Sequence, residues 1–357
     1  MKNTNRVRIA DIARRAGVSA GTVDRVLHNR GEVSEKTSRK VLDILGELNY
    51  EPDLLASTLA SKKVYRFATL IPEANRDNLF WHQPALGLEK ALNSVKHFGV
   101  EHIPDYYNYF NQDSFEEGLE RILKSRPDGV IIAPLFAEKA GIFVEAATEK
   151  GIAVVFINMN VAGAPKLAFV GQDPHQSGMV AAHLLDLCSC SKGEIIVVNI
   201  ISEKGGSAHL LSREEGFRKY FAQKQAAGLS VSSLNILGND QERVKLALSE
   251  GLLKPDGRLK ASGIFVTNSR VYQVAGFLES VGKGDTRLVG YDLLDANIGH
   301  LKQNRIDFLI SQNPVEQGYR SFMALFNAQV LKKEVAEHQY LPIDIVSREN
   351  ISYYLNP

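Results

Sequence analysis

The sequence has very little cysteine. Its two thiols, Cys188 and Cys190, sit too close together for an ordinary structural disulfide and are too few for the four ligands of a structural zinc site. Reduced thiols in a cytoplasmic protein are the economical reading. No run of about 18 apolar residues occurs, so no membrane-spanning helix is expected. The start, MKNTNRVR, has no apolar segment of the kind that leads a secretory signal. The nine histidines include no HExxH, and His175 and His183 stand too far apart to share one helix turn, so no metal or other cofactor is expected. Catalytic motifs are absent or incomplete. Gly17-Val18-Ser19-Ala20-Gly21 has the letters of a nucleophile elbow but follows an amphipathic helical pattern, where that motif needs a strand. Gly282-Lys283-Gly284 is followed by Asp285-Thr286-Arg287, completing neither a dinucleotide fingerprint nor a P-loop. Without a nucleophile–base pair, the chain is not expected to be an enzyme.

A net charge of +1 is also small, but it hides an asymmetry. Up to Lys63 there are twelve Lys/Arg against eight Asp/Glu, an excess of +4 that leaves −3 for the remainder. A basic head on a slightly acidic body suits phosphate binding by one end. Within that head, Ile9, Ile12, Ala13 and Ala16 fall at i, i+3, i+4 and i+7 and line one stripe of a short helix. Gly17 can take the left-handed conformation that ends it, and the Ser19 hydroxyl can cap a second helix from Ala20 to Leu27. Val23, Val26 and Leu27 then face back onto the first. After the basic loop His28-Asn29-Arg30-Gly31, Ser34 can cap a third helix with Val41, Leu45 and Leu48 on its apolar face, Leu42 and Ile44 beside them, and Pro52 at its end. Two short helices joined by a tight glycine turn make a helix-turn-helix, and the second is sized for the major groove of B-DNA.

The segments IADIARRAGVSAGTVDRVLHN, VSEKT, LNYEP and LASTLAS follow one another across most of residues 7–63. In that order they closely resemble the LacI (lactose repressor) family. The resemblance implies a transcriptional regulator, a homodimer reading a pseudo-palindromic operator, and a small effector bound between two lobes of a type I periplasmic-binding-protein fold. It also implies that residues 54–61 form a hinge helix whose Leu59 wedges into the minor groove. On the recognition helix, Ala20, Gly21 and Arg25 are expected to face base edges, Arg25 reaching O6 and N7 of a guanine. Ser19, Thr22 and Asn29 are better placed for phosphates.

From Tyr65 onward, short apolar runs alternate with helical patterns. The expected strands are 67–71, 129–133, 153–157, 167–170, 195–200, 263–266, 287–290 and 308–310. This alternation argues for βαβ units and parallel sheets buried on both faces. No internal repeat shows. The expected fold class is therefore α/β, a helix-turn-helix head preceding a two-lobed body. The domains expected are 1–52 for the head, 53–63 for the hinge, 64–172 with 314–334 for the first lobe, and 173–313 with 335–357 for the second. Crossings between lobes are expected near 171–174, near 312–314 and near Val335.

Ligands of open α/β sheets bind outside the carboxyl ends of the strands, which singles out polar residues just after apolar runs: Asn158, Asn268, Asp292 and Gln312. Arg213 opens a helical pattern. An acid, a guanidinium fork and amides that both donate and accept suit a polyol, and Phe80 and Trp81 can stack on the apolar face of a pyranose. Matching Arg, Asn, Asp and Gln positions serve sugars in the family resembled, although sugar binders often carry Asp where this chain has Asn158. The aromatic cluster 105–110 reads as an edge strand or interface rather than a pocket wall. The function expected is a cytoplasmic, sequence-specific DNA-binding regulator, a repressor by resemblance, controlled by a sugar or sugar derivative. The alternative is a sugar-binding transport or sensory protein without a DNA role.

Overall fold

A computed structural model of the protein describes residues 8–27, 31, 33–48, 63–75, 79–188, 193–201, 208–224, 228–238 and 240–355. The chain divides into two compact units, Met1–Ser61 and Lys62–Pro357. Asn29, the hinge segment with Leu59, and Cys190 lie outside the described residues.

The first unit holds three helices, α1 (Ile9–Ala16), α2 (Ala20–Leu27) and α3 (Glu35–Glu47). Gly17 ends α1 at φ 66° and ψ 35°, a conformation that costs glycine no Cβ clash. The Ser19 hydroxyl accepts from the Thr22 amide at 3.1 Å, and the Ser34 hydroxyl from Thr37 at 3.3 Å. Ile12, Ala13, Ala16, Val23, Val41, Ile44 and Leu45 close one small core. Leu42 departs from expectation: it is 54% exposed, because it lies off the stripe that Val41 and Leu45 share at i, i+4. Helix α3 also stops at Glu47, short of Pro52.

In the second unit, one lobe is built from β1 (Tyr65–Pro72), α4 (His82–Val95), β2 (Val100–Tyr107), α5 (Gln112–Ser125), β3 (Gly129–Ile132), α6 (Ala137–Glu149), β4 (Ala153–Ile157) and β5 (Ala168–Gly171). The chain then crosses at 172–173. The other lobe contains α7 (Pro174–Cys188), β6 (Gly193–Ile201), α8 (Ala208–Lys224), β7 (Leu229–Leu237), α9 (Gln241–Leu252), β8 (Ala261–Val266), α10 (Val271–Val281), β9 (Arg287–Tyr291), α11 (Asp295–Lys302) and β10 (Phe308–Ser311). After a second crossing at 312–313, α12 (Pro314–Leu325) packs against α4, β3, β4 and β5. Two short strands follow, β11 (His338–Tyr340) and β12 (Asp344–Val346), and then one helical turn, α13 (Ser352–Leu355).

The sheets have orders β11-β5-β4-β3-β1-β2 and β12-β10-β9-β8-β6-β7. Every described pairing within the two sheets is parallel except β10 with β12. The third crossing corrects the expected boundary. β11 pairs with β5 in the first sheet and β12 with β10 in the second, so the chain changes lobe at 341–343 and not near Val335. One side chain ties all three crossings: the buried Gln172 amide donates to the Ser311 carbonyl at 2.9 Å and the Pro342 carbonyl at 2.8 Å.

The matching sheet orders expose a repeat that inspection of the sequence misses. Segments 171–178 (GQDPHQSG) and 311–318 (SQNPVEQG) each leave an inner strand, cross between lobes and open a helix with proline in its first turn. Their last glycines do the same work. A Cβ on Gly178 would lie 1.9 Å from the Arg213 carbonyl, and one on its opposite, Gly216, 1.9 Å from that of His175. In the other lobe Gly318 and Gly87 meet the Pro84 and Val315 carbonyls at 2.1 and 1.9 Å. Two glycine-to-glycine helix crossings therefore bring α7 onto α8 and α12 onto α4, and set the height of Arg213 relative to the cleft.

Candidate functional site

The cavity between the lobes lies at the carboxyl ends of the strands. It encloses about 390 Å³ of space, part of it open to solvent, and is lined by Phe80, Trp81, Tyr109, Asn158 and Met159 from the first lobe, His209, Arg213, Asn268, Ser269 and Asp292 from the second, and Gln312 from the second crossing. All seven body residues singled out from the sequence come together here.

Gln312 is the hub. Its Oε1 accepts from Arg213 Nη2 at 2.6 Å and from Asn158 Nδ2 at 3.2 Å, while its Nε2 donates to both carboxylate oxygens of Asp292 at 3.0 Å. A single amide thus joins a first-lobe side chain to the acid and base of the second lobe. The Asn158 amide also donates to Gln317 Oε1 at 3.1 Å, and Gln317 Nε2 donates back to the Gln312 carbonyl at 2.7 Å. Asn158 and Asp292 each follow an inner strand, and both have left-handed backbones, at φ 68° and 69°. Asn and Asp are the non-glycine residues that tolerate this conformation best. The turn lets each amide complete the ladder (Asn158 N–H to Val170 O at 2.9 Å, Asp292 N–H to Ile310 O at 3.0 Å) while the side chain leaves the sheet for the cavity.

Burial decides the electrostatics. Asp292 is 3% exposed, and desolvation pushes its carboxyl pKa up to about 6, against the Arg213 charge and the Gln312 hydrogen bonds that favour ionisation. Arg213 is also buried. It lies 3.8 Å over the Tyr291 ring and donates to the Thr267 carbonyl at 2.7 Å, and its Nε has no partner. His209, one turn earlier on α8, is held neutral by burial and by Arg213, with its pKa lowered to about 3. Phe80 and Trp81 are buried and meet edge to face at 5.3 Å between ring centres. Asn268 is partly committed: its amide donates to the Ile200 carbonyl at 2.7 Å, and its oxygen accepts from the Arg270 amide at 3.1 Å.

Four lining residues were not anticipated. Met159 and Ser269 directly follow Asn158 and Asn268. His209 stands four residues before Arg213 on the same helix face, a spacing visible in the sequence. Tyr109 corrects the reading of the aromatic cluster, whose members separate. Tyr106 is exposed on the edge strand β2, Tyr107 is buried with its hydroxyl donating to the Ala133 carbonyl at 2.7 Å, and Tyr109 lines the cavity. Among the described residues, no cluster of three or more His, Cys, Asp or Glu side chains is placed to hold a metal ion.

On the head, Ala20, Gly21 and Arg25 are exposed on one helix. The hydroxyls of Ser19 and Thr22 lie 2.9 Å apart, paired with each other.

Residues 8–53 match the family of bacterial regulatory proteins named for lacI, and residues 67–334 match a periplasmic binding protein domain. A solved structure described as a LacI transcriptional regulator from Bacteroides fragilis aligns with 82% of this chain and all of its own, at 33% identity and a TM-score of 0.73. The chain belongs to the LacI family. The sucrose operon repressor of Streptococcus mutans is 24% identical over 345 residues, 96% of this chain and 99% of that protein. Catabolite control protein A of Staphylococcus aureus is 33% identical over 125 residues, 35% of this chain and 36% of its own. A transporter solute-binding protein from Burkholderia graminis, solved with D-arabinose, shares the body's fold at 18% identity and a TM-score of 0.72, covering 82% of this chain and 99% of its own. This LacI-family protein is a DNA-binding transcriptional regulator under the control of a small ligand, with an α/β body of periplasmic-binding-protein type. Among the described residues, no helix is long and apolar enough to cross a membrane.

Proposed function

We propose that the regulator is a cytoplasmic homodimer whose operator affinity is set by a carbohydrate held between the lobes. The observation that carries this reading is the Gln312 hub: one amide bonded to Asn158 on one side and to Arg213 and Asp292 on the other, beside the paired rings of Phe80 and Trp81. Sugar hydroxyls can accept from Arg213 and Asn158 and donate to Asp292, and Phe80 and Trp81 offer a surface for the apolar face of the ring. The sucrose operon repressor and the D-arabinose complex support the same class of ligand. Asn268 contributes its remaining acceptor capacity. The reading contains no catalytic step.

At the head, Arg25 reads a guanine edge, Ala20 and Gly21 permit close approach, Ser19, Thr22 and Asn29 meet phosphates, and Leu59 enters the minor groove. One head binds weakly, and two on a symmetric dimer read a pseudo-palindrome. Ligand bridging the lobes shifts the population competent for DNA. A swing from mostly bound to mostly free needs about 5 kcal/mol of differential affinity, within reach of several hydroxyl contacts at about 1 kcal/mol or more each.

The test of the head is Arg25→Ala. Against a duplex selected from a random library by the full-length protein, this variant is expected to lose operator binding while a sugar that raises the wild-type melting temperature still raises its own. Operator affinity equal to wild type would remove Arg25 from the recognition surface.

A further inference from the structure

The cleft holds more positive charge than the carbohydrate reading requires. Arg270 caps α10, directly after Asn268 and Ser269, and is only 8% exposed. Its guanidinium carbon lies 5.4 Å from the centre of the Phe110 ring, which belongs to the other lobe. Among the described residues no carboxylate, carbonyl or hydroxyl accepts from that guanidinium; the hydrogen bonds of Arg270 there are backbone ones, its amide donating to Asn268 Oδ1 and its carbonyl accepting from the Gln273 amide. A cation–π contact offsets only part of the cost of desolvating an unpaired guanidinium. Phe110 stacks edge to face on Tyr109 at 5.1 Å, and Tyr109 lines the cavity, so the Arg270 head group stands next to the lining, behind its Tyr109 side. The Arg213 and Arg270 charges both act on the Tyr109 phenol.

The count along this wall is two buried cations to one acid. Asp292 is the acid, and both its oxygens are already bonded to Gln312. The Nε of Arg213 is a buried donor without an acceptor. A neutral sugar can satisfy Arg213 and Asp292, but it leaves the Arg270 charge unmatched. Ser269 and the first turn of α10 stand beside it, a place where a helix end favours negative charge.

We infer that the natural effector is a sugar carrying an anionic substituent, a carboxylate or a phosphate ester, which Arg270 receives at the Tyr109 side of the cleft while Arg213, Asp292, Asn158 and Gln312 hold the ring. This rests on the carbohydrate reading above and narrows its chemistry. A planar fork of donors suits either group, so the two are separated by experiment.

The experiment is a binding titration of the full-length protein with matched triplets: D-glucose, D-glucuronate and D-glucose 6-phosphate, and the galactose and mannose counterparts. Wild type is compared with Arg270→Met and Arg270→Lys. At least one acidic member is expected to bind about thirtyfold or more tightly than its neutral parent, the loss that follows from removing one partner of a buried charged pair. Arg270→Met is expected to abolish that preference and Arg270→Lys to keep part of it. A uronate alone or a phosphate ester alone binding tightly names the group. A neutral parent that binds as well as its acids, or a preference that survives in Arg270→Met, overturns the anion assignment and leaves the carbohydrate reading standing. If no sugar of either kind binds, the carbohydrate reading falls and inorganic phosphate decides the anion site. A rise in wild-type melting temperature that Arg270→Met does not share supports the site, and equal or absent shifts overturn it. Arg270→Met removes a mostly buried charge that no acid among the described residues pairs with, so its ligand-free melting temperature is expected to be no lower than wild type, which separates loss of binding from loss of fold.

Discussion

Asp292 is the residue at which stability and ligand binding oppose each other. Its carboxyl has a pKa of about 6 in the folded protein against an ordinary 3.8, so between those values the folded state holds the proton more firmly than the unfolded chain. Stability contributed by the protonated form is fully present below about pH 4 and is lost as pH rises through about 6. The loss comes to about 3 kcal/mol, from a shift of about two units at about 1.4 kcal/mol each. Asp292→Asn has no proton to lose there. Urea denaturation of both proteins from pH 4 to 7 should therefore show wild type losing about 3 kcal/mol relative to the variant, with the change confined to pH 4–6. A difference that stays flat across that range would mean the carboxylate is not desolvated. Asn158, Asp292 and Gln312 were legible because a polar residue directly after an apolar run has only one place to go in a parallel sheet, the carboxyl edge. Tyr109 was not, because its neighbours Tyr106 and Tyr107 take opposite environments and the cluster as a whole reads as an edge. Arg270 was invisible for another reason: its meaning depends on partners it lacks, and no sequence pattern records a missing partner.

At the scale of elements, the two glycine crossings carry the lobes' geometry. Gly178→Ala would place a methyl 1.9 Å from the Arg213 carbonyl, which only separation of α7 from α8 can relieve, and overpacking of this kind costs about 1–3 kcal/mol. Gly276, inside α10, has nothing within 4 Å of the same position, and alanine there is expected to stabilise by up to about 1 kcal/mol. Denaturation midpoints moving in opposite directions would verify the contrast, and a harmless Gly178→Ala would show that the crossing has slack. The strands buried on both faces were readable as apolar runs. The edge strand β7 is not legible and β2 is legible only as the aromatic edge at 105–107, because both have burial falling at scattered positions, and β2 contains Pro104, which an edge tolerates. β11 and β12 are three residues each, too short for any periodicity to register. The repeat between 171–178 and 311–318 keeps only Gln, Pro and Gly in common, the residues that a crossing and a close helix approach require, so it becomes visible only when the two sheets are compared strand by strand.

For the whole molecule, a ligand in the cleft governs what the head does on DNA. The two lobes meet through three crossings tied by Gln172 at the Ser311 and Pro342 carbonyls, and through Gln312 within the cavity. These two glutamines occupy equivalent places in the repeat, one fastening the crossings and the other spanning the site. Ligand groups that compete for the partners of Gln312 change what holds the lobes together at that point, and only a difference in affinity between two arrangements can move an equilibrium. The most direct measurement is a fluorescence anisotropy titration of the selected operator duplex at one fixed salt concentration, with and without a saturating sugar from the triplet panel, for wild type and Asp292→Ala. The wild-type Kd is expected to change at least tenfold on adding the sugar, and the Asp292→Ala Kd is expected not to respond. A wild-type Kd unmoved by every sugar shown to bind, or a full response in Asp292→Ala, would contradict control from the cleft.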